Sequence, residues 1–225
     1  TPSQRGRAEA SGAWAFGEGA MMLVDLERWL RSAGVVAGLV TLAYMLVQGV
    51  WRGLRRPSGR ATVRIGWALR PSLLLFVGAL WIGLCVFLWR PVPLSLSAHV
   101  QVAAYLVGAA LYFAGLGLYW WGALSLGALY RPSSALGVQL DAHHRLVTDG
   151  PYAHVRHPLY VGLQAAAIGG LLLYRTWTLV FVAINFVGLF ARARREDHAL
   201  AAEFGQAWES YRQRVPAWLP RLRKR

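Results

Sequence analysis

A single cysteine, a single lysine and ten acidic residues are all that this 225-residue chain has of those types. Cys85 has no intrachain partner, so disulfides and cysteine-based metal sites are excluded. Neither G-x-G-x-x-G nor G-x-x-x-x-G-K-[ST] occurs, which removes the common glycine loops that cradle phosphates. Asp141, His143 and His144 form a D-x-H-H stretch, but no second histidine pair or carboxylate pair stands beside it, and no metal site is expected. Charged residues make up only 15% of the chain against 56% hydrophobic ones, including 11 tryptophans, a balance foreign to soluble domains.

What remains is apolar and arginine-rich. Apolar runs at 33–51, 71–89, 98–121, 158–174 and 176–191 predict five membrane helices. A span needs about 20 residues, so the last two are short. Arg175 and Thr176 alone separate these two, which forces a tight antiparallel hairpin whose second arm must reach into 192–196. The expected fold is all-α, an integral membrane protein of about five transmembrane helices with a C-terminal helix on the cytoplasmic side. Residues 1–20 lack an apolar core of leader length and are expected to be a poorly ordered extension. Residues 21–121 would hold a short amphipathic lead-in (21–31) and three spans, and residues 122–225 the hairpin and tail. Gly108, Gly115 and Gly122 recur every seven residues, a spacing that lets a neighbouring helix approach closely.

The formal net charge of +14 flanks the apolar runs and forms no continuous basic tract, which favours anionic lipid over nucleic acid as its partner. Loop 52–70 has six arginines and no acid, loop 90–97 only Arg90, loop 122–157 three arginines, the hairpin tip only Arg175, and the tail from Arg192 nine basic residues. Basic residues near span ends stay in the cytoplasm. The alternation therefore predicts a multi-pass inner or plasma membrane protein, N-terminus out and C-terminus in, with the 122–157 loop and the tail meeting on the cytoplasmic face.

Those two segments hold most of the remaining polar chemistry. The stretch GPYAHVRHPLYVG (150–162) sets a turn, His154, Arg156, His157 and Pro158 against an apolar helix. Each has an ordinary reading: a glycine-proline turn, an arginine reaching lipid phosphates, a proline in a helical first turn, Tyr160 in an aromatic belt. Ionisable residues gathered at membrane depth more often mark a site. Pro158 also biases His157 away from helical backbone, into a turn where its ring can meet a ligand, whereas His154 reads as a surface residue.

HRLVTDGPYAHVRHPLYVG (144–162), a short hairpin, and then RARREDHALAAEFGQAWESYRQRVPAWLP (192–220) together resemble the isoprenylcysteine carboxyl methyltransferase family of integral membrane methyltransferases. The resemblance implies methyl transfer from S-adenosylmethionine to a lipophilic small-molecule or prenylated acceptor, at a cytoplasm-facing pocket between residues 141–160 and the tail. It places cofactor contacts on His144, Arg145, Leu146, Val147, Tyr152, His157, Pro158, Leu159 and Tyr160, on Glu196, and on Gln139 upstream. It assigns Arg192 to the acceptor carboxylate, so that Arg192 and Glu196 form the catalytic pair. The family's paired glutamates are Glu196-Asp197 here, and Trp208 replaces a common tyrosine.

Elementary chemistry is compatible with these roles. Displacement at a sulfonium methyl needs two atoms held close and in line, and positioning can supply up to ~7–11 kcal/mol of the barrier. An ionised carboxylate acceptor needs no general base, only a cation to hold it, and an arginine fork suits that. Arg192 and Glu196 lie four apart, on one side of a helix. The ordinary alternative is a surface ion pair worth ~0–1 kcal/mol. Two other functions remain open. Membrane sterol reductases, which bind NADPH, resemble the chain over a shorter R-H-P-x-Y stretch, and a non-catalytic scaffold would use the basic tail to hold lipid. Thiols and amines are further candidate acceptors.

Overall fold

The structure is a computed structural model that describes residues 4–54, 71–130 and 145–220, with side chains for 24–49, 51, 76–130 and 145–220. Its helices are α1 (Gln4–Leu54), α2 (Pro71–Phe87), α3 (Ala98–Leu126), α4 (Pro158–Tyr174), α5 (Trp177–Phe204) and α6 (Gln206–Arg214). Among the described residues the sole extended pairing is an isolated bridge between Pro91 and Thr176. Val24–Gly49, Ala98–Leu129 and Trp177–Phe204 are long and apolar enough to cross a membrane, and Phe76–Phe87 and Pro158–Tyr174 are shorter apolar helices. The chain is an all-α integral membrane protein. Its helices expose large apolar side chains such as Val36, Val86 and Leu124, which lipid rather than protein would cover. Residues 21–31, expected as a separate lead-in, continue into the first span as part of α1.

The closest joint lies between α3 and α4, and glycine makes it possible. A Cβ at Gly115 would stand 2.6 Å from the carbonyl oxygen of Gly162, and one at Gly108 2.9 Å from that of Gly169. Gly122 faces Leu159, at 3.2 Å from where its Cβ would be. The seven-residue repeat on α3 thus meets a matching pair on the antiparallel α4, and backbones replace side chains at the seam. Tyrosine hydroxyls fasten α1 to this pair: Tyr112 donates to the Gly34 carbonyl (2.8 Å), Tyr105 to that of Glu27 (2.7 Å) and Tyr174 to that of Arg31 (2.7 Å). In a bilayer such bonds satisfy groups that lipid cannot.

The predicted hairpin is present. Arg175 takes left-handed backbone (φ 52°, ψ 49°), its N–H caps the Leu171 carbonyl, and Thr176 begins the next helix. The segment after α2 locks this tip from outside, with Val92 N–H donating to the Arg175 carbonyl (2.8 Å) and Trp177 N–H to that of Arg90 (3.0 Å). From the tip, α5 runs 28 residues without a break, some ~42 Å at 1.5 Å per residue. That exceeds the ~30 Å apolar core, so its last turns emerge from the membrane. Span and charged extension are one rod, and the rod exits beside the start of α4.

Candidate active site

Where α4 begins, backbone restrictions aim a histidine. Pro158 opens the helix, and His157 before it adopts non-helical backbone (φ −121°, ψ 57°), as a pre-proline residue should. Its ring is buried, stacked parallel on Tyr160 (5.6 Å between centroids, 11°), and Trp218 covers another side at 5.5 Å. Because α4 and α5 are antiparallel from a shared tip, the first turn of α4 faces the sixteenth to twenty-first residues of α5, and Arg192 to Asp197 arrive there.

The polar side chains form one network. Tyr160 donates its hydroxyl to Glu196 Oε1 (2.5 Å) and accepts Nε of Arg192 (2.7 Å), which also reaches the same carboxylate oxygen at 3.2 Å. On the other side, His157 Nε2 lies 2.9 Å from Asp197 Oδ1, and its Nδ1 lies 3.9 Å from Glu196 Oε2. Arg156 sets Nη1 3.0 Å from Asp197 Oδ2, off the line of a hydrogen bond, with its guanidinium over the Trp208 ring at 5.4 Å. An exposed ion pair would count for little; these side chains are largely withdrawn from solvent, and loss of one partner would leave a charge poorly compensated.

The tail closes over this network as a clasp. Trp208, Tyr211 and Val215 are buried against Leu146, Leu200 and Phe204. Tyr211 donates its hydroxyl to the Tyr152 carbonyl (2.7 Å), while the N–H groups of Arg156 and His157 donate to the carbonyls of Pro216 (2.9 Å) and Ala217 (3.2 Å). Burial pushes the Tyr211 phenol up to about 12. Burial first, and then the charge of Glu196, raises the Tyr152 phenol well above its usual value, so it stays a neutral hydroxyl at working pH.

Of the residues expected from the sequence, His157, Tyr160, Arg192 and Glu196 meet in one place, and buried Tyr152 adjoins them. Val147 is buried and Leu146 packs against the clasp, whereas Arg145 is exposed. Pro158 and Leu159 pack toward α3, near Gly122. His154 is exposed, as expected. Gln139 and His144, with Asp141 and His143, lie outside the described residues. Sequence reasoning missed Asp197 as the partner of His157, and it missed Arg156 and Trp218. A tryptophan between Pro216 and Pro220, in a segment with no helical pattern, was the available signal for the last.

The isoprenylcysteine carboxyl methyltransferase (ICMT) family matches residues 107–202, from the middle of α3 to the last turn of α5. Over that stretch the chain is similar to the family. The match begins earlier than the 144–220 blocks that suggested it, and it takes in the glycine seam from Gly108 onward. Among the relatives is a protein-S-isoprenylcysteine O-methyltransferase of Schizosaccharomyces pombe, 35% identical over 114 residues, 50% of this chain and 48% of the relative. The protein-S-isoprenylcysteine O-methyltransferase B of Arabidopsis thaliana is 28% identical over 144 residues, 56% of this chain and 73% of the relative. Methanethiol S-methyltransferase 2 of Bradyrhizobium diazoefficiens is 26% identical over 167 residues, 69% of this chain and 61% of the relative. The chain thus spans about half the length of the first of these.

Proposed function

We propose that the protein transfers a methyl group from S-adenosylmethionine to the carboxylate of a lipophilic, prenylcysteine-like acceptor at the cytoplasmic face of the membrane. The observation that supports this most directly is the triad of Tyr160, Arg192 and Glu196, in which one tyrosine hydroxyl joins a cation and a carboxylate where the first turn of α4 meets the charged second half of α5. The set suits the cofactor's chemistry: carboxylate and imidazole acceptors for an ammonium or hydroxyl group, and aromatic faces at Tyr160 and Trp218 for a sulfonium cation. When bound, S-adenosylmethionine supplies an electrophilic methyl on cationic sulfur.

The chain's own work is then positioning. Arg192 holds the acceptor carboxylate near Tyr160, Glu196 complements the cofactor's positive charge, and the clasp with Trp218 keeps water from His157. The name of the Bradyrhizobium diazoefficiens relative favours a second reading, a thiol acceptor. A small neutral thiol needs no cation to hold it, so Arg192 is the residue that separates the two.

Calorimetry of the detergent-solubilised protein with S-adenosylhomocysteine and with NADPH tests the cofactor. Heat with the first alone is expected, weakened by Tyr160→Phe in a protein that stays folded. Heat with NADPH alone would establish the reductase reading, and heat with neither the scaffold. Carboxylate and thiol acceptors are then compared by transfer of labelled methyl.

A further inference from the structure

We infer that Asp197 is a positioning residue that fixes the tautomer of His157 and so creates a two-acceptor notch between His157 and Glu196. The inference rests on the proposed function for what fills that notch, not for the notch itself. Asp197 presents Oδ2 to Arg156 (3.0 Å) and Oδ1 to His157 Nε2 (2.9 Å). An ionised carboxylate only accepts, so the ring nitrogen facing it carries the hydrogen. In the neutral ring Nδ1 is then a bare acceptor.

Nδ1 points toward Glu196 Oε2 at 3.9 Å, beyond hydrogen-bond range. The other oxygen of Glu196 is already engaged by Tyr160 and Arg192. With the ring neutral, two acceptors therefore lie 3.9 Å apart, and a group with several N–H or O–H bonds, such as an ammonium set beside the line between them at hydrogen-bond distance from each, satisfies both. In the proposed reaction this is the amino-acid end of the methyl donor. Asp197 touches neither substrate nor cofactor in this scheme. It acts through the ring it orients.

Asp197→Asn makes the test sharp, because the substitution keeps shape and reverses hydrogen-bond sense. Arg156 has only donors, so it selects the amide oxygen, and the amide NH2 turns to Nε2. Nε2 must then accept, the ring hydrogen moves to Nδ1, and the notch closes against Glu196. The ring is read without ligand by ¹⁵N spectra of histidine-labelled protein, with the His157 signals assigned by their loss in His157→Gln.

The parent should show hydrogen on Nε2, Asp197→Asn hydrogen on Nδ1, and Asp197→Glu the parental tautomer. In calorimetry Asp197→Asn should bind S-adenosylhomocysteine about tenfold more weakly, the loss of one hydrogen bond to a charged group, with recovery in Asp197→Glu. Parental ring signals in Asp197→Asn overturn the inference, and so does a lower melting temperature with unchanged affinity, which makes Asp197 a structural clamp. If the parent binds no S-adenosylhomocysteine, the proposed function falls, while the ligand-free ring signals still decide the role of Asp197.

Discussion

Gly115→Ala adds one methyl group, and the structure says where it goes. The new Cβ would lie 2.6 Å from the Gly162 carbonyl oxygen and 2.5 Å from the Ala166 nitrogen, both backbone atoms that no rotamer change can move. Ordinary contact begins at 3.4 Å, so α3 and α4 must part by about 0.9 Å, the difference from 2.5 Å, along a seam repeated at Gly108. Overpacking of this kind costs about 1–3 kcal/mol. Alanine is also the better helix former by about 1 kcal/mol, which offsets part of the cost. Gly83→Ala in α2 supplies the control, since its Cβ would meet nothing within 4 Å and only the propensity gain applies. In thermal melts in detergent, the two midpoints should differ by roughly 2–12 °C, with Gly115→Ala the lower. Because Gly162 is four residues from Pro158, the wedge should also loosen the first turn of α4 and weaken S-adenosylhomocysteine binding. Equal midpoints and equal affinity would mean that the two helices do not meet at this seam, and the placement of His157 and Tyr160 would fall with it.

Three further outcomes are expected. Arg192→Lys keeps the charge but replaces the Nε that bonds Tyr160 and Glu196, so with a carboxylate acceptor it should raise KM or lower kcat while sparing cofactor affinity, and Glu196→Gln should weaken S-adenosylmethionine more than its neutral-sulfur product; full activity of both variants would return them to a structural pair. The Tyr211 phenol ionises near 10 in an unfolded chain and at about 12 here, so the folded state favours the neutral form: its stabilisation is complete below pH 10 and is lost as pH rises toward 12, a loss that Tyr211→Phe should abolish in melts across that window. A reporter active only in the cytoplasm should work when fused after Arg225 and fail in loop 90–97; the reverse pattern inverts the arginine-based orientation.

The sequence showed those parts of the molecule that depend on local pattern. The five apolar runs became five helices because lipid demands continuous apolarity of a span, and the Arg175-Thr176 gap left the hairpin no alternative. The glycine period was legible because close approach of helices needs the same face every two turns. His157 and Tyr160 stood out against an apolar helix, and Arg192 and Glu196 through their four-residue spacing. Asp197 did not, because an acid beside another acid in a charged helix reads as a solvated face, and its partner is 40 residues away in sequence. Trp218 was hidden for a similar reason: its contacts to His157 and Phe190 exist only once the tail folds back across α5.

The unbroken run of α5 makes the site sensitive to arithmetic. Inserting one residue between Thr178 and Phe190 would advance everything beyond it by 1.5 Å and turn it by about 100°, swinging Arg192 and Glu196 away from Tyr160 toward lipid. Seven added residues would restore the angle but lift the carboxylate more than 10 Å clear of the ring it must face. The hairpin tip is held from outside by the segment at Arg90 and Val92, so slippage there cannot absorb the error. α5 therefore works as a ruler with its zero at Arg175. Length can vary freely only in stretches of the chain that are not part of that measurement.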